Sequence, residues 1–179
     1  TPGDPRLLSP EWVTPDRLLF LDGTIQSITS TERIYHEAVV HPAMFAHPNP
    51  KHVAILGGGE GATLREVLKH NTVESAVMIE IDEELVQISR ELLPGFSDCS
   101  DLKGRAANCL DDELVTIAYE DGRQWFINRY GESPSVEPPK DLFDVVIVDA
   151  LDPDDEKGVG MSELLYSDEK FISSLVDCL

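Results

Sequence analysis

The sequence has few basic residues and no long apolar run. It contains 14 Lys and Arg against 34 Asp and Glu, which gives a formal net charge of −20 at pH 7. Because phosphate binding needs clustered Lys and Arg, this balance argues against DNA, RNA and anionic membranes as partners. No run of about 18 apolar residues is present, so no membrane span is predicted. The negative charge suits a cationic substrate, and acidity that serves only solubility is an alternative of equal weight.

Signals for export and for metal binding are also missing. Residues 1–5 lack a basic region followed by an apolar one, so no signal peptide is predicted and we expect a cytoplasmic protein. The three cysteines, Cys99, Cys109 and Cys178, show no CxxC spacing and are expected to be free thiols in a reducing compartment. The five histidines are scattered and form no HExxH motif, so no metal site is expected.

Apolar runs and turn residues divide the chain into two regions. Residues 1–45 contain an irregular, proline-rich segment, a β-hairpin over 17–29 with a tight Asp22-Gly23 turn, and a linking helix over 35–45. In residues 46–179 short apolar strands alternate with helices. Strands are predicted at 53–56, 76–79, 114–118 and 143–148, and helices at 62–70, 83–93 and 123–129. This alternation predicts a Rossmann-like α/β domain, with a parallel sheet and helices on both faces.

A glycine-rich turn, GGGEG at 57–61, follows the first of these strands. Gly57 and Gly59 allow the backbone to turn sharply and a ligand to approach the helix start. The spacing differs from GxGxxG, and GxxxxGK[ST] is missing, which argues against a nicotinamide cofactor and a phosphate-cradling loop. Glu60, inside the turn, would repel a phosphate or carboxylate and would favour an ammonium group.

Acidic residues end the next strands, at the edge where such sheets bind ligands. Glu80 ends the second strand about 20 residues after the glycines, where an acid hydrogen-bonds the hydroxyls of a ribose. Asp121-Gly122 ends the third strand and would lie near an adenine edge. Helix capping is the alternative for these acids, and Asp82 fits it best. Asp149 ends the fourth strand.

Several separated motifs resemble the polyamine aminopropyltransferase family, which contains spermidine, spermine and thermospermine synthases. They cover most of residues 17–172: LDGTIQ at 21–26, YHE at 35–37, HPNPK at 47–51, GGGEGATLREVLKH at 57–70, VES at 73–75, EID at 80–82 and DALDP at 149–153. The resemblance implies transfer of an aminopropyl group from decarboxylated S-adenosylmethionine, as co-substrate, to putrescine or spermidine, with release of methylthioadenosine. It implies no metal and no other cofactor.

The resemblance also implies roles for single residues on the side of the nucleoside donor. His36 and Glu60 would hold its aminopropyl tail and amine. Glu80 would bind the ribose, and Asp121 with Gly122 the adenine side. Gly57 and Gly59 would form the turn against which this nucleoside lies.

On the acceptor side, Gln26 and Tyr35 would line the pocket, and Asp149 and Asp152 would meet the polyamine. Asp149 would be the proton acceptor, since a primary amine with a pKa of about 10 must lose a proton before it attacks carbon.

The family's wider architecture gives two further expectations. Its members pair through N-terminal β-regions, so a homodimer is expected. They continue beyond the fourth strand, so the chain is expected to be truncated at its C-terminus.

Two alternative functions stay open: an S-adenosylmethionine-dependent methyltransferase of the same architecture, and a non-catalytic truncated relative that binds nucleoside or protein partners. The motifs leave the acceptor amine undetermined.

Overall fold

The computed structural model describes residues 15–138, 142–150 and 165–179. Asp152 lies outside the described residues, so its predicted role stays a prediction. The elements, in chain order, are β1 (Leu18–Leu21), β2 (Thr24–Ile28), α1 (Glu32–Ala46), β3 (His52–Gly57), α2 (Ala62–Leu68), β4 (Ser75–Ile79), α3 (Glu83–Leu92), β5 (Val115–Ala118), α4 (Gly122–Tyr130), β6 (Val145–Asp149) and α5 (Glu169–Asp177).

Strands β1 and β2 form the predicted antiparallel hairpin. Both turn residues have positive φ, 50° at Asp22 and 81° at Gly23, which is the conformation that a two-residue turn needs to match the twist of its strands. The register shifts between Leu19 and Phe20, where the ladder contains a bulge or irregularity.

Strands β3 to β6 form a parallel sheet with the order β5-β4-β3-β6, which confirms the predicted α/β fold. Strand β3 is central, with β4 on one side and β6 on the other. The register aligns Gly57 with Asp149, so β3 and β6 end side by side. In a doubly wound sheet, ligands bind beyond the strand ends where the order reverses, and here that place is next to β3.

Alternate residues of β3 bury opposite faces of the sheet, as the period of a strand requires. Val53 and Ile55 belong to a core cluster with residues of α1, α2 and α3. Ala54 and Leu56 belong to a second cluster with aromatic residues of α4 and α5. Helices therefore cover both faces, as predicted. Helix α1 contributes Val40 and Met44 to the first cluster, and the domain boundary between residues 45 and 46 stays a prediction.

The connection between α3 and β5 corrects the expectation about the cysteines. Cys99 and Cys109 form a disulfide with their Cα atoms 5.3 Å apart, and Cys178 is free and buried. The chain folds back here: Cys99 N donates to Ala107 O at 2.9 Å and Cys109 N to Ser97 O at 2.8 Å. This short antiparallel pairing brings together two thiols that are ten residues apart in sequence.

Across the part of the chain that the structure describes, no helix has both the length and the apolar character needed to cross a membrane.

Candidate active site

A cavity of about 460 Å³ opens at the carboxyl ends of the sheet strands. One wall is formed by the loops that follow β3, β4, β5 and β6, and the opposite wall by the hairpin through Leu19, Leu21 and Ile25. Nine of the predicted site residues line it: Gln26, Tyr35, Gly57, Gly59, Glu60, Glu80, Asp121, Gly122 and Asp149. His36 is not among the lining residues.

The glycine turn after β3 has little room for side chains. Gly57 has a φ of 86°, and a Cβ at this position would collide with the carbonyl oxygen of Asp149 on the neighbouring strand. A Cβ at Gly59 would lie 2.9 Å from Oε2 of Glu80. Gly57 therefore needs to be glycine, because β3 and β6 approach closely there, whereas a side chain at Gly59 would displace the carboxylate of Glu80.

Glu80 follows β4 and lines the cavity. Its side chain is buried and accepts a hydrogen bond from the backbone N of Asp82 at 2.9 Å. Burial raises the pKa of Glu80, and the nearby charge of Glu60 adds to this. The capping alternative holds for Asp82 instead, which accepts from Leu85 N at the start of α3. Glu80 is thus left to face the cavity beside Gly59.

Asp121 has the capping role considered for it, and its contact with an adenine edge stays a prediction. It caps α4 by accepting from Gln124 N at 3.1 Å, and it also lines the cavity. Gly122 begins α4. The next residue, Arg123, lines the same end and binds the carboxylate of Asp168, which caps α5.

The side chain of Glu60 points from the glycine turn toward Ser27 and His36. Its Oε1 accepts from Ser27 Oγ at 3.0 Å and lies 3.2 Å from His36 Nε2. Burial would raise the pKa of Glu60, but the hydrogen bond and charge of His36 outweigh it, so the pKa is lowered. Glu60 is therefore a carboxylate with its side chain 13% exposed, at the cavity surface.

Asp149 lies beside Glu60 at the end of β6. It accepts from the hydroxyl of Tyr35 at 3.0 Å and from that of Thr63 at 2.5 Å. Burial raises the pKa of Asp149, and repulsion by Glu60 adds to the rise. A half-buried carboxylate with a raised pKa and two fixed hydroxyl partners has the properties of a general base.

His36 lies behind Glu60 and is only 1% exposed. Burial alone would lower the pKa of His36, but hydrogen bonds to Glu32 and Glu60 and the charges of Glu60 and Asp149 raise it to about 10. Single ligand atoms of His36, Glu60 and Asp149 lie within 4.8 Å of one another, the spacing of a possible metal site. Two of the three residues, Glu60 and Asp149, line the cavity with carboxylates, which can also bind an organic cation.

Sequence reasoning missed two polar residues of the site, Ser27 and Thr63. Thr63 lies in the first turn of α2, directly after the glycine turn, and that position could have indicated a hydroxyl near the strand ends. Ser27 carries no such signal, because its contact with Glu60 joins residues 33 positions apart.

The fold and the site together define a class of protein. A parallel sheet with a glycine turn after its central strand, and with acids after the neighbouring strands, is a Rossmann-like nucleoside-binding architecture. The family model described as spermine/spermidine synthase domain matches residues 32–179. The chain belongs to the spermine/spermidine synthase family.

Curated relatives and solved structures agree with this assignment. Polyamine aminopropyltransferase 1 of Hyperthermus butylicus is 49% identical over 139 residues, which are 76% of this chain and 41% of the relative. Polyamine aminopropyltransferase 2 of Pseudomonas aeruginosa is 43% identical over 152 residues, 85% of this chain and 37% of the relative.

A spermidine synthase in complex with the transition state analogue AdoDATO has a TM-score of 0.71 at 34% identity, covering 90% of this chain and 47% of that one. The spermidine synthase of Thermotoga maritima has a TM-score of 0.67 at 33% identity, covering 90% of this chain and 45% of that one. The chain therefore spans about half, or less, of the length of these relatives.

Proposed function

We propose that the protein containing this chain transfers an aminopropyl group from decarboxylated S-adenosylmethionine to an amine of a diamine or polyamine. The observation that carries the proposal is the charge of the cavity. Its described lining includes five carboxylates, Glu60, Glu80, Asp82, Asp121 and Asp149, and one guanidinium, that of Arg123, which is bound by Asp168. Such a lining favours cationic ligands, and both substrates of this reaction are cations.

The nucleoside donor lies along the strand ends in this proposal. Glu80 accepts hydrogen bonds from the ribose, and Asp121 with Gly122 contacts the adenine side. The sulfonium and its aminopropyl tail extend over Gly57 and Gly59 toward Glu60, whose carboxylate binds the terminal ammonium. His36 acts on this tail through Glu60, since its own side chain is buried behind it.

The acceptor amine enters beside Gln26, Tyr35 and Asp149, and Asp152 would meet the same polyamine. Asp149 accepts one proton from its ammonium and so frees a lone pair. The nitrogen then attacks the methylene carbon next to the sulfonium: a C–N bond forms, the C–S bond breaks, and its electron pair stays on the sulfur of methylthioadenosine. Catalysis follows from positioning and from the fixed charges around the reacting atoms.

The family and the names of the relatives support this chemistry, and the neighbour that holds AdoDATO supports a nucleoside joined to an amine as the bound species. We include in the proposal a cytoplasmic location, a homodimer, and no nucleic acid or membrane partner, as expected from the charge and the family resemblance.

The nucleoside that binds more tightly distinguishes aminopropyl transfer from methyl transfer. Because Glu60 attracts an ammonium and repels a carboxylate, decarboxylated S-adenosylmethionine should bind at least about tenfold more tightly than S-adenosylmethionine, a difference of about 1.4 kcal/mol. Calorimetry on the full-length protein measures both affinities. Mass spectrometry of reactions with a panel of amines then identifies the acceptor. Equal affinity for the two nucleosides, or preference for S-adenosylmethionine, would favour a methyltransferase, and donor binding without any product would favour a non-catalytic relative.

A further inference from the structure

A buried ionic network adjoins the cavity next to Glu60. Its members are Glu32 on α1, His36 one turn later, and Arg65 and Glu66 on α2, each at most 6% exposed. Arg65 binds both carboxylate oxygens of Glu32, at 3.1 Å and 2.8 Å. It also donates to Glu66 Oε1 at 2.9 Å. None of these residues lines the cavity itself.

His36 joins this network to the site through its two ring nitrogens. Nδ1 lies 2.6 Å from the carbonyl oxygen of Glu32 and 3.1 Å from Oε2 of the same residue. Nε2 lies 3.2 Å from Oε1 of Glu60. Carbonyl and carboxylate oxygens only accept hydrogen bonds, so both ring nitrogens must carry a hydrogen to satisfy these contacts. With Glu32 and Glu60 ionised, the geometry therefore favours the imidazolium form of His36.

We propose that Glu32 is a positioning residue of the active site: its carboxylate keeps His36 doubly protonated, so that a fixed positive charge stands beside Glu60 and Asp149. The inference rests on the proposed function for its effect on turnover. Burial opposes a charge on His36, and the ionised Glu32, held by Arg65, counteracts this from the side of the ring opposite Glu60.

The positive charge of His36 matters because Asp149 and Glu60 are neighbouring carboxylates. Repulsion by Glu60 raises the pKa of Asp149, and the positive charge of His36 lowers it. The charged groups that face His36 are Glu32, Glu60 and Asp149, with Arg65 behind Glu32. If His36 lost its proton, the pKa of Asp149 would rise further, so Asp149 would be an ionised base only at higher pH.

The substitution Glu32→Gln distinguishes an electrostatic role of Glu32 from a structural one. The carbonyl oxygen of residue 32 remains in the variant, so the shortest contact that orients the His36 ring is kept. Arg65 also keeps Glu66 and the carbonyl oxygens of Gly95 and Phe96. The variant removes a charge and leaves most of the surrounding hydrogen bonds in place, so it is expected to fold.

The experiment uses ¹⁵N NMR of the histidine rings in the full-length protein. In the wild type, His36 should remain an imidazolium through neutral pH, in line with its pKa of about 10. In Glu32→Gln its titration midpoint should fall by about three pH units or more, to neutral pH or below, because burial then opposes the charge of His36 with one counter-charge fewer. The acidic limb of the kcat/KM profile should move to higher pH by about one unit, with little change in the affinity for the nucleoside donor.

Two further variants complete the test. Glu32→Asp keeps the charge and should restore most of the wild-type titration and pH profile. Glu91→Gln removes the same charge at an exposed position on α3 and should leave both unchanged. A neutral His36 ring in the wild type at about pH 7 would overturn the inference without any variant. An unchanged His36 titration and an unchanged kcat/KM pH profile in Glu32→Gln would also overturn the inference. If the wild type transfers no aminopropyl group, the proposed function fails, and the NMR titration still decides whether Glu32 controls His36.

Discussion

Asp149→Asn tests the assignment of the base with little disturbance of the fold. Asparagine has nearly the same size. The hydroxyls of Tyr35 and Thr63 donate to different oxygens of Asp149, at 3.0 Å and 2.5 Å, so in the variant Oδ1 can accept from one hydroxyl while Nδ2 donates to the oxygen of the other. What is lost is the ability to take a proton from the acceptor ammonium. General-base catalysis contributes about 10² or more in rate, so turnover should fall by at least about 10²-fold, or about 2.7 kcal/mol in the activation barrier.

The fold should tolerate this change because two electrostatic effects nearly cancel. Single polar atoms of His36, Glu60 and Asp149 lie within 4.8 Å of one another. At an effective dielectric constant of about 20, an interaction over this distance is worth about 3.5 kcal/mol, attractive toward His36 and repulsive toward Glu60. The pKa of Asp149 is raised in the folded protein, so folding disfavours its charged form and stability declines as the pH rises through that pKa. The asparagine variant should therefore be at least as stable as the wild type at neutral pH.

Single-turnover assays with saturating nucleoside donor and a fixed acceptor, quantified by mass spectrometry, measure the loss. Calorimetry should show donor affinity within about twofold of the wild type, because Glu60, Glu80 and Asp121 hold that ligand. The rate should rise with pH as free amine accumulates, and more steeply in the variant, which depends on amine that is already deprotonated. Near-normal turnover at neutral pH in Asp149→Asn would refute the assignment, and Asp152 would be the next candidate.

Three further predictions concern binding, stability and assembly. Glu80→Gln should weaken binding of the nucleoside donor at least about tenfold by calorimetry, while single-turnover rates at saturating donor stay near those of the wild type; unchanged affinity would remove Glu80 from the ribose site. Reducing the Cys99–Cys109 bond, which joins residues ten apart, should lower the free energy of unfolding by up to about 2.7 kcal/mol. Denaturant titrations with and without reductant measure this difference, and identical unfolding curves would contradict it. The full-length protein should have the mass of a dimer by light scattering, because the hairpin presents unpaired strand edges; a monomer mass would argue against this pairing.

The sheet was predictable because its strands carry a strong local signal. Residues 53–56 are continuously apolar and bounded by a glycine turn, so β3 could be placed within one residue at each end. The Asp22-Gly23 turn was equally clear, since few residue pairs accept positive φ at both positions. Helix α1 was predicted from residue 35 and begins at Glu32. Its first turn carries Glu32, which the ionic network behind the site depends on.

The contacts of the site were less predictable because they join distant parts of the chain. The motifs placed Glu60, Glu80 and Asp149 at strand ends, and the structure brings them to one cavity. The partners of these acids depend on packing between elements: Ser27 comes from the hairpin, and Thr63 from the first turn of α2. The disulfide was missed for a similar reason, since two thiols ten residues apart meet only because the loop folds back on itself.

The two walls of the cavity differ in how readily they open. Amides in β3, which is paired on both sides and buried between helices, should exchange with solvent only when the whole sheet unfolds. The opposite wall is a two-stranded hairpin, an element that is marginal by itself, and it reaches the rest of the site through contacts such as Ser27 to Glu60. In the proposed function the substrates bridge these walls, so binding should slow hydrogen exchange mainly in the hairpin, and the free energy spent on ordering the hairpin lowers the affinity for the substrates.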